Sequence, residues 1–321
     1  METINKPRIG IDLGGTKIEA IVLGGDGVIE YRHRIPCPQA NYLATVEAVA
    51  TLVNKARHDT GIPASLPIGI GTPGAISLRT GLMKNCNSTC LNGQPLREDL
   101  EDAVGAPVKL ANDADCFALS EASDGAGAGA HSVFGVILGT GVGGGIIYQG
   151  MPLAGINAIC GEWGHTTLPL NALQIRGEGL PAPPVGQRKC FCGRLDCAEQ
   201  WISGPAFERS YFELAGKQLP AAEIAKLALT GDMTASALME RYCNLLALGL
   251  STAINIFDPF VIVLGGGMSN IELLYDRVCV YLPRYVFSDS VETSMVKAVH
   301  GDSSGVRGAA WLWTTDELYP E

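Results

Sequence analysis

His165, Cys190, Cys192 and Cys197 make the most specific chemical pattern in the chain, an imidazole in EWGH and three thiols in CFCGRLDC. One nitrogen and three sulfurs are a tetrahedral zinc donor set, and the CxCxxxxC spacing gathers the sulfurs in a tight loop that Gly193 helps to turn. Four protein ligands leave no position for water, so such a zinc is structural and fixes one face of His165. Glu162 lies three residues before the histidine and Glu199 two after the last cysteine. The loop therefore places two carboxylates beside one imidazole edge, acceptors suited to the hydroxyls of a sugar. Outside such a cluster both would read as solvated surface acids.

A second chemistry is written in RIGIDLGGTKIEAIVLGG, Arg8 to Gly25. It reads as strand, turn, strand, with Asp12, Gly14, Gly15, Thr16 and Lys17 around the turn. Paired glycines let backbone amides approach an anion, Thr16 and Lys17 add a hydroxyl and a cation, and Asp12 suits a hydrated Mg²⁺. Together they suit a polyphosphate. The pattern returns without gaps 125 residues later as FGVILGTGVGGGIIYQG, which aligns Gly10, Leu13, Gly14 and Gly25 with Gly135, Leu138, Gly139 and Gly150. Four identities among 40 glycines carry little by themselves; the shared strand, glycine turn and strand carry more. Because Ile146, Ile147 and Tyr148 continue as strand, the second copy is no dinucleotide fingerprint, and no GxxxxGK[ST] loop is present. In this frame Gly139, Thr140 and Gly141 approach the phosphates, and Gly265, Gly266 and Gly267 lie flat against a nucleoside.

Asn112 and Asp113 stand where a short strand meets a helix, and two readings apply. Either residue can be an N-cap. Alternatively Asp113 is a base that accepts a hydroxyl proton while that oxygen attacks a γ-phosphorus, chemistry that needs positioning and electrostatics more than covalent help.

The elements that must hold these groups follow from periodicity. Val28 to Ile35 continues the first sheet, and a helix runs from Tyr42 to about Thr60, ended by Gly61 and Pro63. Strands are expected at Leu66 to Ile70, Pro107 to Leu110, Phe260 to Leu264 and Met295 to Val299, with a hairpin near Gly81. Helices are expected from Ala114 to about Gly125, Ala206 to Ala215, Ala221 to Leu229, Ala235 to Phe257, from about Asn270, and Val306 to Trp313. Lys84 to Pro95 is too polar for a core and reads as a loop lining a pocket, which brings Asn87 into the candidate substrate-binding set. Gly155 to Pro184 reads as irregular surface chain. The expected domains are 1–111 with 304–321, and 112–303.

At 321 residues, 47% hydrophobic and 17% charged, the chain can bury two cores, and no apolar run is long enough for a membrane helix. A formal charge of -10 argues against a nucleic-acid partner. The polar start, Met1 to Lys6, shows no secretory signal, so a cytoplasmic protein with mostly reduced thiols is expected. The other seven cysteines are scattered and read as packing residues.

In order, IDLGGTK, GTPGAIS, ANDA, LGTGVGGG, EWGH, CFCGRLDC and VLGGGMSN resemble the ROK sugar kinases over nearly the whole chain. The repeated hairpin resembles the actin, hexokinase and Hsp70 superfamily, an α/β actin-like fold of two similar domains facing across a nucleotide cleft. KNCNSTCLNGQPL, EWGHTTLPL and HGDSSGVRGAAWLW look most like bacterial fructokinases of the manno(fructo)kinase type. The resemblance implies ATP with Mg²⁺, phosphorylation of a free hexose at O6, and often a homodimer. It also implies Asp113 as base, sugar contacts from Asn112, Glu162, His165 and Glu199, and zinc on His165, Cys190, Cys192 and Cys197. Fructose, with some activity on mannose, is the first expected substrate; N-acetylglucosamine or glucose is the alternative. A sugar-sensing ROK regulator would need a helix-turn-helix, which is not expected in the few residues before the first strand. A silent sugar-binding scaffold is disfavoured by Asp12, Lys17 and Asp113. One departure concerns Asp196, where some members have glycine before the last metal-loop cysteine; a side chain there strains the turn.

Overall fold

The computed structural model describes residues 6–173, 180–181 and 183–319. The polar start at residues 1–5, and residues 174–179 and 182 of the irregular stretch, lie outside them. In chain order the elements are β1 (Arg8–Leu13), β2 (Lys17–Leu23), β3 (Ile29–Pro36), α1 (Tyr42–Thr60), β4 (Ile68–Thr72), β5 (Ala75–Ile76), β6 (Met83–Lys84), α2 (Leu96–Val104), β7 (Val108–Asn112) and α3 (Asp113–Asp124). There follow β8 (Ser132–Leu138), β9 (Val142–Tyr148), β10 (Met151–Pro152), α4 (Glu199–Ile202), α5 (Gly204–Ala215), α6 (Ala221–Leu229), α7 (Met233–Phe257) and β11 (Val261–Gly265). The chain closes with α8 (Leu273–Tyr281), β12 (Ser294–Lys297), α9 (Ser304–Trp311) and α10 (Thr315–Leu318).

Two five-stranded sheets repeat one topology, β3-β2-β1-β4-β7 and β10-β9-β8-β11-β12. In the first, β1, β2 and β3 form an antiparallel meander, and β4 and β7 add in parallel beside β1. In the second, β8, β11 and β12 run parallel. This is the duplicated α/β architecture expected from the repeated hairpin. The ungapped overlay holds to the residue: β1 ends at Leu13 and β8 at Leu138, and β2 opens at Lys17 and β9 at Val142.

The described residues fall into two compact units, one from 6–129, 145–160 and 299–319, the other from 130–144, 161–173, 180–181 and 183–298. In the first unit, alternation sorts the strands onto two faces. Ile9, Ile11, Leu13, Ile18, Ala20 and Val22 join a core with Val49, Leu52 and Val53 of α1 and Leu96 and Leu100 of α2. Ile21 and Leu23 pack on Val306 and Ala310 of α9 instead. The expected boundary at residue 112 falls elsewhere, since α3 groups with the first unit. The cause is packing on α9, so close that a Cβ on Gly308 would stand 1.6 Å from the Cys116 carbonyl oxygen. A polar clasp adds to it. The buried Glu121 carboxylate accepts from the amides of Ala126, Val299 and His300 at 3.0, 3.0 and 3.1 Å and from the Ser304 hydroxyl at 2.9 Å. Asp124 pairs with Arg307 and with His300.

In the second unit, α7 is capped by Asp232, which accepts from the Ala235 amide, and every residue from Arg241 to Ser251 is buried. Among the described residues no helix is long and apolar enough to cross a membrane. The structure also adds α2, absent from the expected elements. Its signal is plain in LREDLEDAV: Leu96, Leu100 and Val104 share one face, Glu98 and Asp99 occupy the first turn, and Gly105 ends it. After β11 a short 3₁₀ turn, Gly267–Asn270, precedes α8, which begins later than expected.

Candidate active site

In the first unit, the turn between β1 and β2 is closed by the Gly14 amide, which donates to the Lys17 carbonyl at 3.0 Å. The Cys37 amide donates to the Thr16 carbonyl at 3.0 Å, and the Gln39 side chain donates to the Gly15 carbonyl at 2.9 Å. Carbonyls are thus tied back into the protein. Among the described residues no protein acceptor takes the amides of Gly15 or Thr16. Both residues line a 310 Å³ cleft with Gln39, Asn87 and Ser88, so the loop from Lys84 to Pro95 does line a pocket, and Asn87 is in its wall.

Asn112 is the N-cap of α3, its Oδ1 accepting from the Ala114 amide at 2.9 Å. Asp113 is the first helical residue; its Oδ1 accepts from the same amide at 2.8 Å, and the side chain is exposed. The capping reading therefore belongs to Asn112. Asp113 places its carboxylate in the first turn of α3. Asp12 is different. Burial first, then the charges of Asp113 and Glu19, push its carboxyl from the ordinary 3.8 up to about 6, with Lys17 and Arg34 opposing. A carboxyl crowded by two other acids is a position that a hard dication would relieve.

In the second unit, the turn Gly139–Gly141 repeats the first, with the Gly139 amide donating to the Gly141 carbonyl at 3.0 Å. Among the described residues the amides of exposed Thr140 and of Gly141 have no protein acceptor. Four segments converge on this turn. The Gly204 amide, at the start of α5, donates to the Gly139 carbonyl at 2.9 Å. Gly266, with φ +80°, lies so close that a Cβ would meet the Leu138 carbonyl oxygen at 2.5 Å. Gly265 ends β11, and Gly267 has open space around its would-be Cβ. Glu199 Oε2 accepts from the Val142 amide at 3.3 Å. The EWGH turn docks on β9 through Trp163, whose Nε1 donates to the Gly143 carbonyl at 2.9 Å, and through Gly164, where a Cβ would stand 1.9 Å from the Val142 carbonyl oxygen.

This docking sets out Glu162, which is exposed, and half-buried His165. His165 Nδ1 lies 3.5 Å from Cys190 Sγ, Cys192 and Cys197 Sγ are 3.6 Å apart, and all four candidate ligand atoms lie within 4.8 Å of one another. Tetrahedral zinc with bonds of about 2.0–2.3 Å separates its ligand atoms by roughly 3.3–3.8 Å, whereas a disulfide needs about 2.05 Å. The donor set fits zinc. The Arg194 amide holds the Cys192 thiol below its ordinary value, while burial pushes Cys197 up to about 12; a bound dication would draw the sulfurs to thiolates. With Nδ1 turned to the thiols, Nε2 is the ring nitrogen left for other work.

Asp196 takes up the expected strained turn, with φ +52°. It is held by compensation: its buried carboxylate accepts from the Gly186 amide and, at 3.1 Å, from the Arg188 amide. Sequence reasoning foresaw the strain and missed its use. It also missed Trp163, Gly164 and Gln39, which touch the site only by holding backbone; an isolated tryptophan in a polar run was the one signal.

The ROK family profile matches residues 8–316. An N-acetyl-D-glucosamine kinase from Salmonella paratyphi B is 40% identical over 307 residues, 96% of this chain and 99% of that protein. Among solved structures, a ROK hexokinase from Thermus thermophilus has a TM-score of 0.80 at 31% identity, covering 95% of this chain and 97% of its own. A ROK family glucokinase from Streptomyces griseus, solved with glucose and AMPPNP, has a TM-score of 0.71 at 27% identity, covering 95% and 98%.

Two outcomes are expected from this geometry. Asp196→Ala leaves two amides without their acceptor and a β-carbon at positive φ, so it should lower stability by about 2–4 kcal/mol and metal affinity by roughly tenfold. Urea unfolding and competitive chelation measure the two, and wild-type values in both would refute the compensation. For Asp12 the sign follows from a raised carboxyl: the native chain holds more protons than the unfolded chain between pH 4 and 6, so stability falls as pH rises through that window. In EDTA, Asp12→Asn should gain on the wild type across it by on the order of 2–3 kcal/mol. A stability difference that stays flat from pH 4 to 7 would contradict it.

Proposed function

The chain belongs to the ROK family and is an ATP-dependent sugar kinase; we propose that it transfers the γ-phosphoryl group to O6 of a free hexose. The observation that carries this reading is the pair of glycine turns, in register 125 residues apart, each presenting amides without a protein acceptor among the described residues. Such amides are what polyphosphate oxygens require. The first turn, with Thr16 and Lys17, and the second, with Gly139, Thr140 and Gly141, hold the phosphates. Gly265, Gly266 and Gly267 give the nucleoside a surface without side chains, as open Gly267 suggests. Asp12 is the residue that would hold Mg²⁺, which supplies charge neutralisation on the phosphates.

Asp113 accepts the O6 proton as O6 bonds to the γ-phosphorus and the bond from phosphorus to the β–γ bridging oxygen breaks, releasing ADP. Asn112, Asn87, Glu162, His165 through Nε2, and Glu199 orient the sugar. Glu199 is oriented by the Val142 amide at Oε2, 3.3 Å, and by the Cys190 thiol at Oε1, 3.9 Å. His165, Cys190, Cys192 and Cys197 would hold zinc, which fixes the loop shape and stays outside the chemistry.

N-acetyl-D-glucosamine is the substrate that the relatives support. Fructose stands as the second reading, favoured by the resemblance of residues 84–96, 162–170 and 300–313 to fructokinases, the first of which lines the cleft beside Thr16. Separate incubations of N-acetylglucosamine, fructose, mannose and glucose with ATP and Mg²⁺, with the product identified by NMR, decide between them. The largest kcat/KM should fall on N-acetylglucosamine; a maximum on fructose selects the second reading, and no sugar phosphate from any of the four refutes hexose phosphorylation. Asp113→Asn should lower kcat by roughly 100-fold or more while ATP affinity is retained. Turnover near the wild type would remove Asp113 from the base role.

A further inference from the structure

Asp12, Glu19 and Arg34 occupy one cross-strand row on β1, β2 and β3, since Asp12 registers with Glu19 and Glu19 with Arg34. The middle member is the unusual one. Glu19 is 1% exposed, and both its oxygens are spent on arginines of the edge strand: Oε2 accepts from Arg34 Nε at 3.0 Å and Nη2 at 2.6 Å, and Oε1 from Arg32 Nε. Both arginines are partly exposed. Asp12, at the inner end of the row, has no hydrogen bond or ion pair on its carboxylate among the described residues, although Arg34 and Lys17 are near enough to act on its charge.

This is a choice among acids. Two strands away is about 10 Å, which an extended arginine and an aspartate can bridge between them. A guanidinium released from Glu19 would have Asp12 as the next carboxylate in its row, and a bidentate pair is a strong competitor for a buried acid. We propose that Glu19 is a positioning residue: by occupying Arg34 and Arg32 it keeps the Asp12 carboxylate unpaired and available to a divalent cation. The inference rests on Asp12 as the cation-holding residue of the proposed reaction, and it explains why an anion is buried in a sheet that otherwise buries isoleucine, valine and leucine at neighbouring positions.

The test uses the full chain with ADP and Mn²⁺ in place of Mg²⁺, with free Mn²⁺ followed by electron paramagnetic resonance, so that no turnover is needed. Glu19→Gln should weaken Mn²⁺ binding by roughly tenfold, in the range seen when the partner of a metal ligand is removed. The double variant Glu19→Gln with Arg34→Gln should return to within about twofold of the wild type, because the guanidinium in the row of Asp12 is gone, while Arg32 registers with Ile21 outside that row. A merely structural Glu19 predicts the reverse, a double variant no better than the single. In kinase assays the Mg²⁺ concentration for half-maximal rate should rise in Glu19→Gln, with kcat at saturating Mg²⁺ near the wild type. Glu19→Asp, which keeps the charge and shortens the reach, guards against misfolding and should shift Mn²⁺ binding in the same direction by a smaller factor. Wild-type affinity in both Glu19 variants, or no recovery in the double variant, overturns the proposal. Asp12→Asn separates the two levels: if it binds Mn²⁺ as the wild type does, the assignment of Asp12 has failed and the role of Glu19 falls with it, whereas loss of Mn²⁺ in Asp12→Asn with wild-type affinity in both Glu19 variants overturns the role of Glu19 alone.

Discussion

Backbone pressed on backbone, with no room for a β-carbon, is the constraint on which both units depend. In the first unit a Cβ on Gly69 would stand 1.8 Å from the Ala309 carbonyl oxygen, and one on Gly308 would be closer still to that of Cys116. In the second, Gly164 and Gly266 meet Val142 and Leu138 in the same manner. Such contacts fix the distance between elements more tightly than interdigitated side chains do, since neither partner has a rotamer to adjust. The helices and loops that carry charged groups are therefore set against the sheets with little slack. A turn that presents backbone amides at hydrogen-bond distance needs that rigidity.

Charge is arranged around this frame by subtraction as much as by attraction. Glu121 satisfies three amides and a hydroxyl, Asp124 takes Arg307, and Glu19 takes two arginines. Each consumes a group that would otherwise compete for an acid or leave a polar atom buried alone. Asp12 is an acid whose carboxylate has no hydrogen bond or ion pair of this kind among the described residues. Burial first, then the charges of Asp113 and Glu19, raises it to about 6, and in a chain with a formal charge of -10 backbone amides and Lys17 supply positive potential only locally.

Much of this was legible in the sequence. The hairpins were, because glycine turns between alternating apolar runs have few other folds, and the overlay fixed which residues stand at the ends of strands. The gathering of His165, Cys190, Cys192 and Cys197 was, because sulfur and imidazole at such short spacing have few other uses. What stayed hidden is what depends on partners distant in sequence: the clasp of Glu121 on the His300 amide, 179 positions further along the chain, and the docking of Trp163 on Gly143. The boundary at residue 112 failed for the same reason. A strand-to-helix junction looks like a passage between domains until the helix is seen packed on α9.

Asp196 shows how a local rule can be broken without loss of shape. At φ +52° glycine is the easy residue, and strain of order 1–3 kcal/mol attends any other. The carboxylate returns about as much through two amide hydrogen bonds in a buried setting, since bonds to a charged acceptor are stronger than neutral ones. The two solutions are not equivalent. Glycine leaves the segment around Gly186 and Arg188 untied, whereas aspartate fastens it to the metal loop, and Arg188 in turn stacks 3.8 Å over Trp201 on the helix that begins at Glu199. The backbone of the metal loop, the arginine before it and the carboxylate after it thus move as one piece. On this account the aspartate orders the segment that leads to Glu199, and the strained turn is the condition under which its carboxylate can face inward.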